Sequence, residues 1–235
     1  MTPSAAMIFA AGYGTRMAPL TDTMPKALVA VNGRPLIDYA LALTDQAGIK
    51  NRVVNAHHFA DQMQAHLQDA PNVSISYEQT APLETGGGLK FAQPLLGEGP
   101  VFTLNSDAVW TGRNPLTSLS KSWRPTNMHA LLLLVSADTI DGYQGNGDFS
   151  MDAQNRLSRD TATGAKRYVF TGAQIIDTSA LAGISRSVFS LNDVWNTMIA
   201  QGRLFGCVHT GGWVDVGTPA GIARAEELLA RQHDV

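Results

Sequence analysis

The decisive stretch of the sequence is Met7-Ile8-Phe9-Ala10-Ala11-Gly12-Tyr13-Gly14-Thr15-Arg16-Met17, in which a short apolar run ends in a loop with two glycines. The apolar run predicts a buried strand over residues 7–10. Because glycine adopts positive φ without strain, the loop lets backbone N–H groups approach an anion closely. Arg16 adds a planar cation, which suits forked contact with phosphate oxygens. The stretch therefore predicts a strand that leads into a phosphate-binding loop.

This loop departs from the two common phosphate-binding patterns. The dinucleotide fingerprint needs a third glycine where this chain carries Met17, which disfavours a dinucleotide oxidoreductase, and no Gly-Lys-Ser/Thr follows as in a P-loop. The two glycines alone fit a tight turn without a ligand equally well. The continuation Pro19-Leu20-Thr21 and Pro25-Lys26 favours the phosphate site, because Lys26 supplies a second cation for a polyphosphate.

Beyond the loop, apolar runs alternate with segments of helical period. In the first half, strands are predicted at residues 7–10, 52–55, 73–77 and 101–104, and helices at 36–46, 59–67 and 88–96. This strand–helix–strand order implies a mainly parallel sheet with right-handed crossovers. In the less regular second half, strands are predicted at 130–136, 148–151, 168–176 and 204–208, and helices at 191–201 and 219–232. With no repeat or low-complexity linker, the chain is predicted to be a single α/β domain.

Composition narrows the class of protein. The 235 residues carry a net charge of −3, with 20 acidic against 17 basic side chains, so no basic surplus serves nucleic acid or an anionic membrane. The single Cys207 excludes an intrachain disulfide and fits a reducing compartment. The N-terminal apolar stretch is too short for a signal peptide, and the run 130–135 is far below the ~20 residues of a membrane helix. We expect a cytoplasmic protein, either a monomer or a small homo-oligomer.

Several stretches, in order along almost the whole chain, resemble the sugar-1-phosphate nucleotidylyltransferases. They are the loop from Ala10 to Thr21 with Pro25-Lys26, then Val31-Asn32-Gly33-Arg34-Pro35-Leu36-Ile37, Pro82-Leu83-Glu84-Thr85-Gly86-Gly87-Gly88, Asn105-Ser106-Asp107 and Gly212-Trp213-Val214-Asp215-Val216-Gly217-Thr218. The resemblance implies a Rossmann-like sheet flanked by helices. It also implies transfer of a nucleotidyl group from an NTP to a sugar 1-phosphate, with Mg²⁺ as cofactor and pyrophosphate as product.

Two departures distinguish this chain within the family. Ser106 stands where most relatives carry Gly before the metal-binding Asp, and Glu84 and Gly86 replace the commoner Gly and Ala. The Pro-Leu-Glu-Thr-Gly-Gly-Gly version is most similar to the uridylyltransferases that act on N-acetylmuramate 1-phosphate in cell-wall recycling. The expected substrates are therefore UTP and that sugar phosphate. Alternatives are guanylyl, thymidylyl or cytidylyl transfer to another sugar 1-phosphate or to phosphocholine, and a non-catalytic regulatory member of the fold.

The resemblance also implies roles for individual residues. The catalytic residues it implies are Arg16, Lys26, Asp107 and Asp215, of which Asp107 and Asp215 would also bind the metal. The nucleotide-binding residues are Ala10, Ala11, Gly12, Tyr13, Gly14, Lys26, Gln79, Glu84, Thr85 and Asn105. The sugar-binding residues are Gly147, Asp160, Thr171 and Trp213. The corresponding parts are about 1–110 for the nucleotide and 111–217 for the sugar, followed by a C-terminal helix at about 218–232.

The residues themselves support only part of this assignment. Asp107 follows a predicted strand at the carboxyl edge where open α/β sheets bind ligands, although each aspartate alone also fits a turn or a cap. No His/Cys cluster has zinc spacing. The run of three glycines before the predicted helix at 88 is interpreted as allowing close approach to the base. A lactyl carboxylate on the sugar would be expected to pair with Lys166 or Arg167.

Overall fold

The computed structural model describes residues 2–140, 145–160 and 166–233, and thirteen strands and six α-helices lie within them. The strands are β1 (Ala5–Phe9), β2 (Ala30–Val31), β3 (Arg34–Pro35), β4 (Asn51–Ala56), β5 (Val73–Tyr77), β6 (Pro100–Asn105), β7 (Ala108–Trp110), β8 (Ala130–Ser136), β9 (Ser150–Met151), β10 (Leu157–Ser158), β11 (Tyr168–Asp177), β12 (Leu204–Val208) and β13 (Trp213–Asp215). The helices are α1 (Leu36–Gln46), α2 (Ala60–Leu67), α3 (Glu84–Leu96), α4 (Pro115–Ser122), α5 (Leu191–Ala200) and α6 (Pro219–His233).

One seven-stranded sheet organises the molecule, in the order β12-β8-β11-β6-β1-β4-β5. Strand β1, which leads into the loop at residues 10–17 (the glycine loop), lies inside this sheet. It pairs in parallel with β4 and β6, so that Met7 stands opposite Val53 and Thr103. β11 runs antiparallel to both of its neighbours, and the remaining pairs are parallel. The predicted fold class, a mixed and mainly parallel sheet in a single α/β domain, is confirmed.

Helices cover both faces of the sheet because successive strand residues point to opposite sides. Met7 packs on one face with Leu89 of α3 and Trp195 of α5. Ile8 packs on the other face, where α1 and α2 cover the β1–β4 side. On the same face, α4 covers the part of the sheet formed by β6, β8 and β11. The core is therefore two apolar layers, and the loops at the carboxyl ends of the parallel strands are left to form a site.

A short antiparallel ribbon joins two distant parts of the chain at this edge. β7 pairs with β13, which places Asp215 opposite Ala108, and the N–H of Val216 donates to the carbonyl of Asp107 at 2.7 Å. Helix α6 packs against β13, and its Ala225 lies in the same apolar cluster as Val216. This ribbon carries the second predicted metal-binding aspartate to the end of β6.

The structure differs from the predicted elements mainly in α4 and α3. Helix α4 was not predicted, although Asn114 caps it by accepting N–H bonds from Leu116 and Thr117, and Pro115 occupies its first position. Helix α3 begins at Glu84 and not at 88, and the predicted strand 148–151 is reduced to β9 in a hairpin with β10. Within the described ranges, each helix is too short or too polar to cross a bilayer.

Candidate active site

The glycine loop folds against the segment that carries Lys26. Gly14 has a φ of 65°, and its carbonyl accepts a hydrogen bond from the Thr21 hydroxyl at 2.9 Å. A Cβ added at Gly14 would lie 2.9 Å from Cβ of Lys26. Glycine is needed at this position both for the left-handed backbone and for the close approach of Lys26.

Lys26 and Asp107 form the central ion pair of the cleft. Nζ of Lys26 lies 2.6 Å from Oδ2 of Asp107, although the residues are 81 positions apart. Their side chains are 14% and 24% exposed, so both charges are largely withdrawn from water but still reach the cleft. Such a pair holds the lysine in one orientation beside the end of β6.

Asp215 lies in a cluster of charged side chains that includes Asp107 and Lys26. Burial raises the pKa of Asp215, and the negative charge of Asp107 raises it further, while Lys26, Arg16 and Arg224 lower it. A Cβ added at Gly217 would lie 2.8 Å from Oδ2 of Asp215 and 3.1 Å from Nη2 of Arg16. Arg16 and Asp215 therefore both lie beside Gly217, close to the position that a side chain there would occupy.

The four predicted catalytic residues therefore lie around one cleft. Arg16, Asp107 and Asp215 line a cavity of about 500 Å³, and Asp107 continues with Lys26 into a second cavity of about 220 Å³. Across the described ranges, no cluster of three or more His, Cys, Asp or Glu has the arrangement of a metal site. A metal here would be held by the two aspartates together with ligand oxygens.

The 220 Å³ cavity, which we call the loop cavity, gathers most of the predicted nucleotide-binding residues. Its lining includes Ala10, Ala11, Gly12, Lys26, Glu84, Thr85 and Asn105. Three predicted residues lie outside this lining. Gly14 supports the loop from behind, the half-exposed Tyr13 has its hydroxyl 3.3 Å from Nε2 of His57, and Gln79 is exposed.

A buried polar link in the loop cavity was missed by the sequence analysis. Oδ1 of Asn55 accepts the N–H of Ala10 at 2.7 Å, and Nδ2 of Asn55 donates to Oε1 of Glu78 at 2.7 Å. The other carboxylate oxygen of Glu78 accepts the N–H of Leu83 at 2.7 Å. The link ties the glycine loop to the loop before α3. Its sequence signal is a polar residue at the carboxyl ends of two adjacent strands, β4 and β5.

The three glycines are required by packing within the protein. The N–H groups of Gly86 and Gly87 donate to the carbonyl of Phe189 at 2.9 and 3.0 Å. A Cβ at Gly87 would lie 2.1 Å from the carbonyl oxygen of Ser187, and one at Gly86 would lie 2.4 Å from the Phe189 ring. The glycines lie inside the first turns of α3, so the predicted helix start at 88 is wrong, and the run does not precede the helix. Their close approach is to the segment before α5.

The predicted sugar-binding residues are divided by the structure. Thr171 and Trp213 line the 500 Å³ cavity, where the indole N–H of Trp213 donates to the carbonyl of Thr171 at 2.9 Å. Gly147 and Asp160 line neither this cavity nor the loop cavity, and the side chain of Arg167 donates to the main-chain carbonyls of both. A third cavity of about 260 Å³ lies beside α5 and includes Asp148 and Arg159. Asn105 lines all three cavities and stands where they meet.

A mainly parallel sheet that gathers a glycine loop, two cations and two carboxylates at its carboxyl edge has the architecture of a nucleotide-handling α/β protein. The model of the family described as Nucleotidyl transferase matches residues 5–232, and the chain belongs to that family.

Two relatives are similar over nearly the full chain. The chain is 39% identical to the N-acetylmuramate alpha-1-phosphate uridylyltransferase of Caulobacter vibrioides, over 97% of this chain and 98% of that protein. It is 36% identical to the protein of the same name from Neisseria meningitidis, over 95% and 97%. The solved structure of the inositol-1-phosphate CTP transferase from T. maritima shares the fold, with a TM-score of 0.77, 16% identity and coverage of 98% and 96%. The resemblance seen in the sequence is confirmed.

Proposed function

We propose that the protein transfers the uridylyl group of UTP to N-acetylmuramate 1-phosphate and releases pyrophosphate. The observation that carries the proposal is the convergence of Arg16, Lys26, Asp107 and Asp215 on one cleft beside the loop cavity. The two relatives with that printed name support the choice of base and sugar. The division into a nucleotide part, a sugar part and a C-terminal helix is part of the same proposal.

The reaction depends on positive charge around the phosphates and on correct positioning of the two reactants, and it does not require a general base. A phosphate monoester has a second pKa of about 6, so the attacking oxygen of the sugar phosphate is already anionic at neutral pH. It attacks the α-phosphorus of UTP, and the bond to the pyrophosphate oxygen breaks. Arg16 and the glycine loop hold the β- and γ-phosphates, and Lys26 lies between the α-phosphate and the sugar phosphate. Holding two anionic reactants in one geometry lowers the barrier.

The paired aspartates fit a divalent cation. Asp107 and Asp215 are close enough that one carboxylate raises the pKa of the other, and two carboxylates with phosphate and water oxygens form the oxygen-only set that Mg²⁺ prefers. When bound, Mg²⁺ would neutralise charge on the phosphate oxygens. Lys26 stays fixed by its ion pair with Asp107 and supplies a positive charge at the same place.

The remaining predicted residues are assigned to the base, the ribose or the sugar according to the cavity that they line or adjoin. Glu84 and Thr85, at the start of α3, would contact the uracil with Gln79, and Asn105 would face the ribose where the cavities meet. On the other side of Asn105, the sugar would be held by Thr171 and Trp213. Gly147 and Asp160 line none of the cavities, and their contact with the sugar stays a prediction from the resemblance.

Pyrophosphate release tests the proposal. The wild type is assayed with UTP, GTP, CTP and dTTP against N-acetylmuramate 1-phosphate, mannose 1-phosphate, glucose 1-phosphate and phosphocholine. The expected result is the highest kcat/KM for UTP with N-acetylmuramate 1-phosphate. A higher value for another pair would replace the substrate assignment, and no turnover with any pair would favour a non-catalytic member of the fold. The Lys26→Met variant is the background control.

A further inference from the structure

The 260 Å³ cavity beside α5, which we call the α5 cavity, adjoins the loop cavity. The two share Phe9, Thr85 and Asn105 in their linings. Its other walls come from β11, from the start of α5 and from the segment around Asp148 and Arg159. A sugar whose phosphate lies at Lys26 and Asp107 therefore has a second compartment within reach, across Asn105.

Arg159 is held in this cavity by neutral partners. Its Cζ lies 4.3 Å from the centroid of the Phe149 ring. Nη2 donates to Oδ1 of Asn192, Nε donates to Oδ1 of Asn196 at 3.4 Å, and Nη1 donates to the carbonyl of Asp148 at 3.5 Å. The ion pairs found among residues 2–140, 145–160 and 166–233 do not include Arg159. Among the residues that the structure describes, no carboxylate is in direct contact with the guanidinium.

The cavity has one anionic and one cationic wall. The Asp148 carboxylate accepts the N–H of Phe170 at 2.8 Å, which fixes it against β11. Partial burial lowers the pKa of Arg159 and the charge of Asp148 raises it, but an arginine stays protonated at neutral pH. A neutral hydroxyl suits the first wall, and a planar carboxylate suits the second, because guanidinium and carboxylate match in a forked pair.

The two basic residues expected from the sequence are placed differently. The side chain of Arg167 donates to three main-chain carbonyls, those of Asn146, Gly147 and Asp160. Nζ of Lys166 lies 5.6 Å from the centroid of the Tyr168 ring. Neither residue lines any of the three cavities, so the expectation that one of them binds a sugar carboxylate is not supported by its position.

We propose that Arg159 is the specificity-determining residue for a carboxylate substituent on the sugar 1-phosphate, which it binds in the α5 cavity. The inference rests on the proposed function, since the lactyl group of N-acetylmuramate is such a substituent. N-acetylglucosamine 1-phosphate has the same ring and phosphate without the carboxylate, and it gains nothing from Arg159. The residue thereby discriminates between two sugars that differ in one charged group.

The test compares both sugars in matched variants. Arg159→Gln removes the charge, and Arg159→Lys keeps the charge but cannot form a bidentate pair with a carboxylate. Arg156→Gln is the control, because it removes a nearby charge from a residue that lines none of the cavities. Because a charged hydrogen bond contributes about 1.5–3 kcal/mol, we expect Arg159→Gln to raise the KM for N-acetylmuramate 1-phosphate about tenfold to a hundredfold. The KM for UTP and the kcat/KM for N-acetylglucosamine 1-phosphate should stay unchanged.

Each outcome is decisive. The proposal is supported if the KM for N-acetylmuramate 1-phosphate rises less in Arg159→Lys than in Arg159→Gln and does not rise in Arg156→Gln. If thermal unfolding shows that Arg159→Gln does not fold, Arg159→Lys is used for the test in its place. If Arg159→Gln lowers kcat/KM equally for both sugar 1-phosphates, or for neither, the proposed role of Arg159 is overturned, while the activity of the wild type is unaffected by that result. A wild type that does not prefer the carboxylated sugar overturns the proposed function itself, before any variant is compared.

Discussion

At the scale of single residues, Glu84 has an unusual backbone conformation beside the loop cavity. Glu84 has a φ of 60°, in the left-handed region that favours glycine, and it lines the loop cavity. Glycine is the residue that adopts this backbone conformation without strain. Because such a conformation is costly for a non-glycine residue, we expect the side chain of Glu84 to have a role at this cavity.

The Glu84→Gly substitution separates backbone strain from base recognition. Removing the left-handed strain recovers about 1 kcal/mol, so we expect the melting temperature to stay unchanged or rise. The KM for UTP should rise, because the side chain that faces the cavity is lost. Glu84→Gln is the control that keeps the strain and changes only the charge. An unchanged KM for UTP in both variants would remove Glu84 from the nucleotide site.

His209 makes stability depend on pH in a defined direction. The side chain is 5% exposed, and burial lowers its pKa, while main-chain hydrogen bonds with Thr111 and Gly212 raise it in part. Below the unfolded-state pKa of about 6.5, the unfolded chain takes up a proton that the folded chain refuses, so the free energy of unfolding falls as pH falls. The slope reaches about 1.4 kcal/mol per pH unit and ends at the folded pKa.

Urea unfolding between pH 8 and pH 5 measures this effect. We expect His209→Gln to flatten the acid side of the stability profile relative to wild type. The exposed His58, replaced by Gln, should leave the profile as it is. Parallel profiles for wild type and His209→Gln would show that another group governs the acid limb.

At the scale of elements, helix α3 positions the base side of the site through its glycines. Its first turn is fixed by two hydrogen bonds to the carbonyl of Phe189, and Thr85 in the same turn accepts the N–H of Leu191 at 3.0 Å. The starts of α3 and α5 are therefore one packed unit. Displacing either helix start moves the loop cavity and the α5 cavity together.

Gly87→Ala tests this packing. The added methyl group would meet the Ser187 carbonyl oxygen at 2.1 Å, so backbone must move, at a cost of about 1–3 kcal/mol. We expect a lower melting temperature and a higher KM for UTP. Gly183→Ala is the matched control, because a Cβ there meets no atom within 4 Å. Equal melting temperatures for the two variants would contradict the close approach of the 187–189 segment.

Elements with strong apolar periodicity could be predicted from sequence. Helix α1 and strands β5, β8 and β12 have the predicted bounds, because each has a clear apolar or alternating pattern in the sequence. Helix α4 was not predicted because it is short and because Asn114 and Pro115 were not taken as the start of a helix. The start of α3 was placed too late because glycine is a poor helix former, and only the tertiary contact with residues 187–189 explains glycines in that turn.

At the scale of the whole molecule, the topology builds the cleft from separate parts of the chain. The parallel order of β4, β1 and β6 brings Asn55, Ala10 and Asn105 to one edge, and the β7–β13 ribbon adds Asp215. Family motifs were enough to select the four charged residues. Local patterns mark Asn55 and Glu78 only as polar residues at strand ends. The hydrogen bond between them and the orientation of Arg159 depend on contacts between distant segments.

In the proposed mechanism, Asp107 and Asp215 act as one unit at the point of phosphoryl transfer. A double-mutant cycle in kcat with UTP and N-acetylmuramate 1-phosphate at saturating Mg²⁺ tests it most directly. Asp107→Asn and Asp215→Asn should each lower kcat about 10²–10³-fold with an unchanged fold. Because groups that act together are strongly non-additive, the double variant should lose little more than the worse single variant. If the two fold-losses in kcat multiply in the double variant, or if either single variant keeps the wild-type kcat, the two aspartates do not act as one unit.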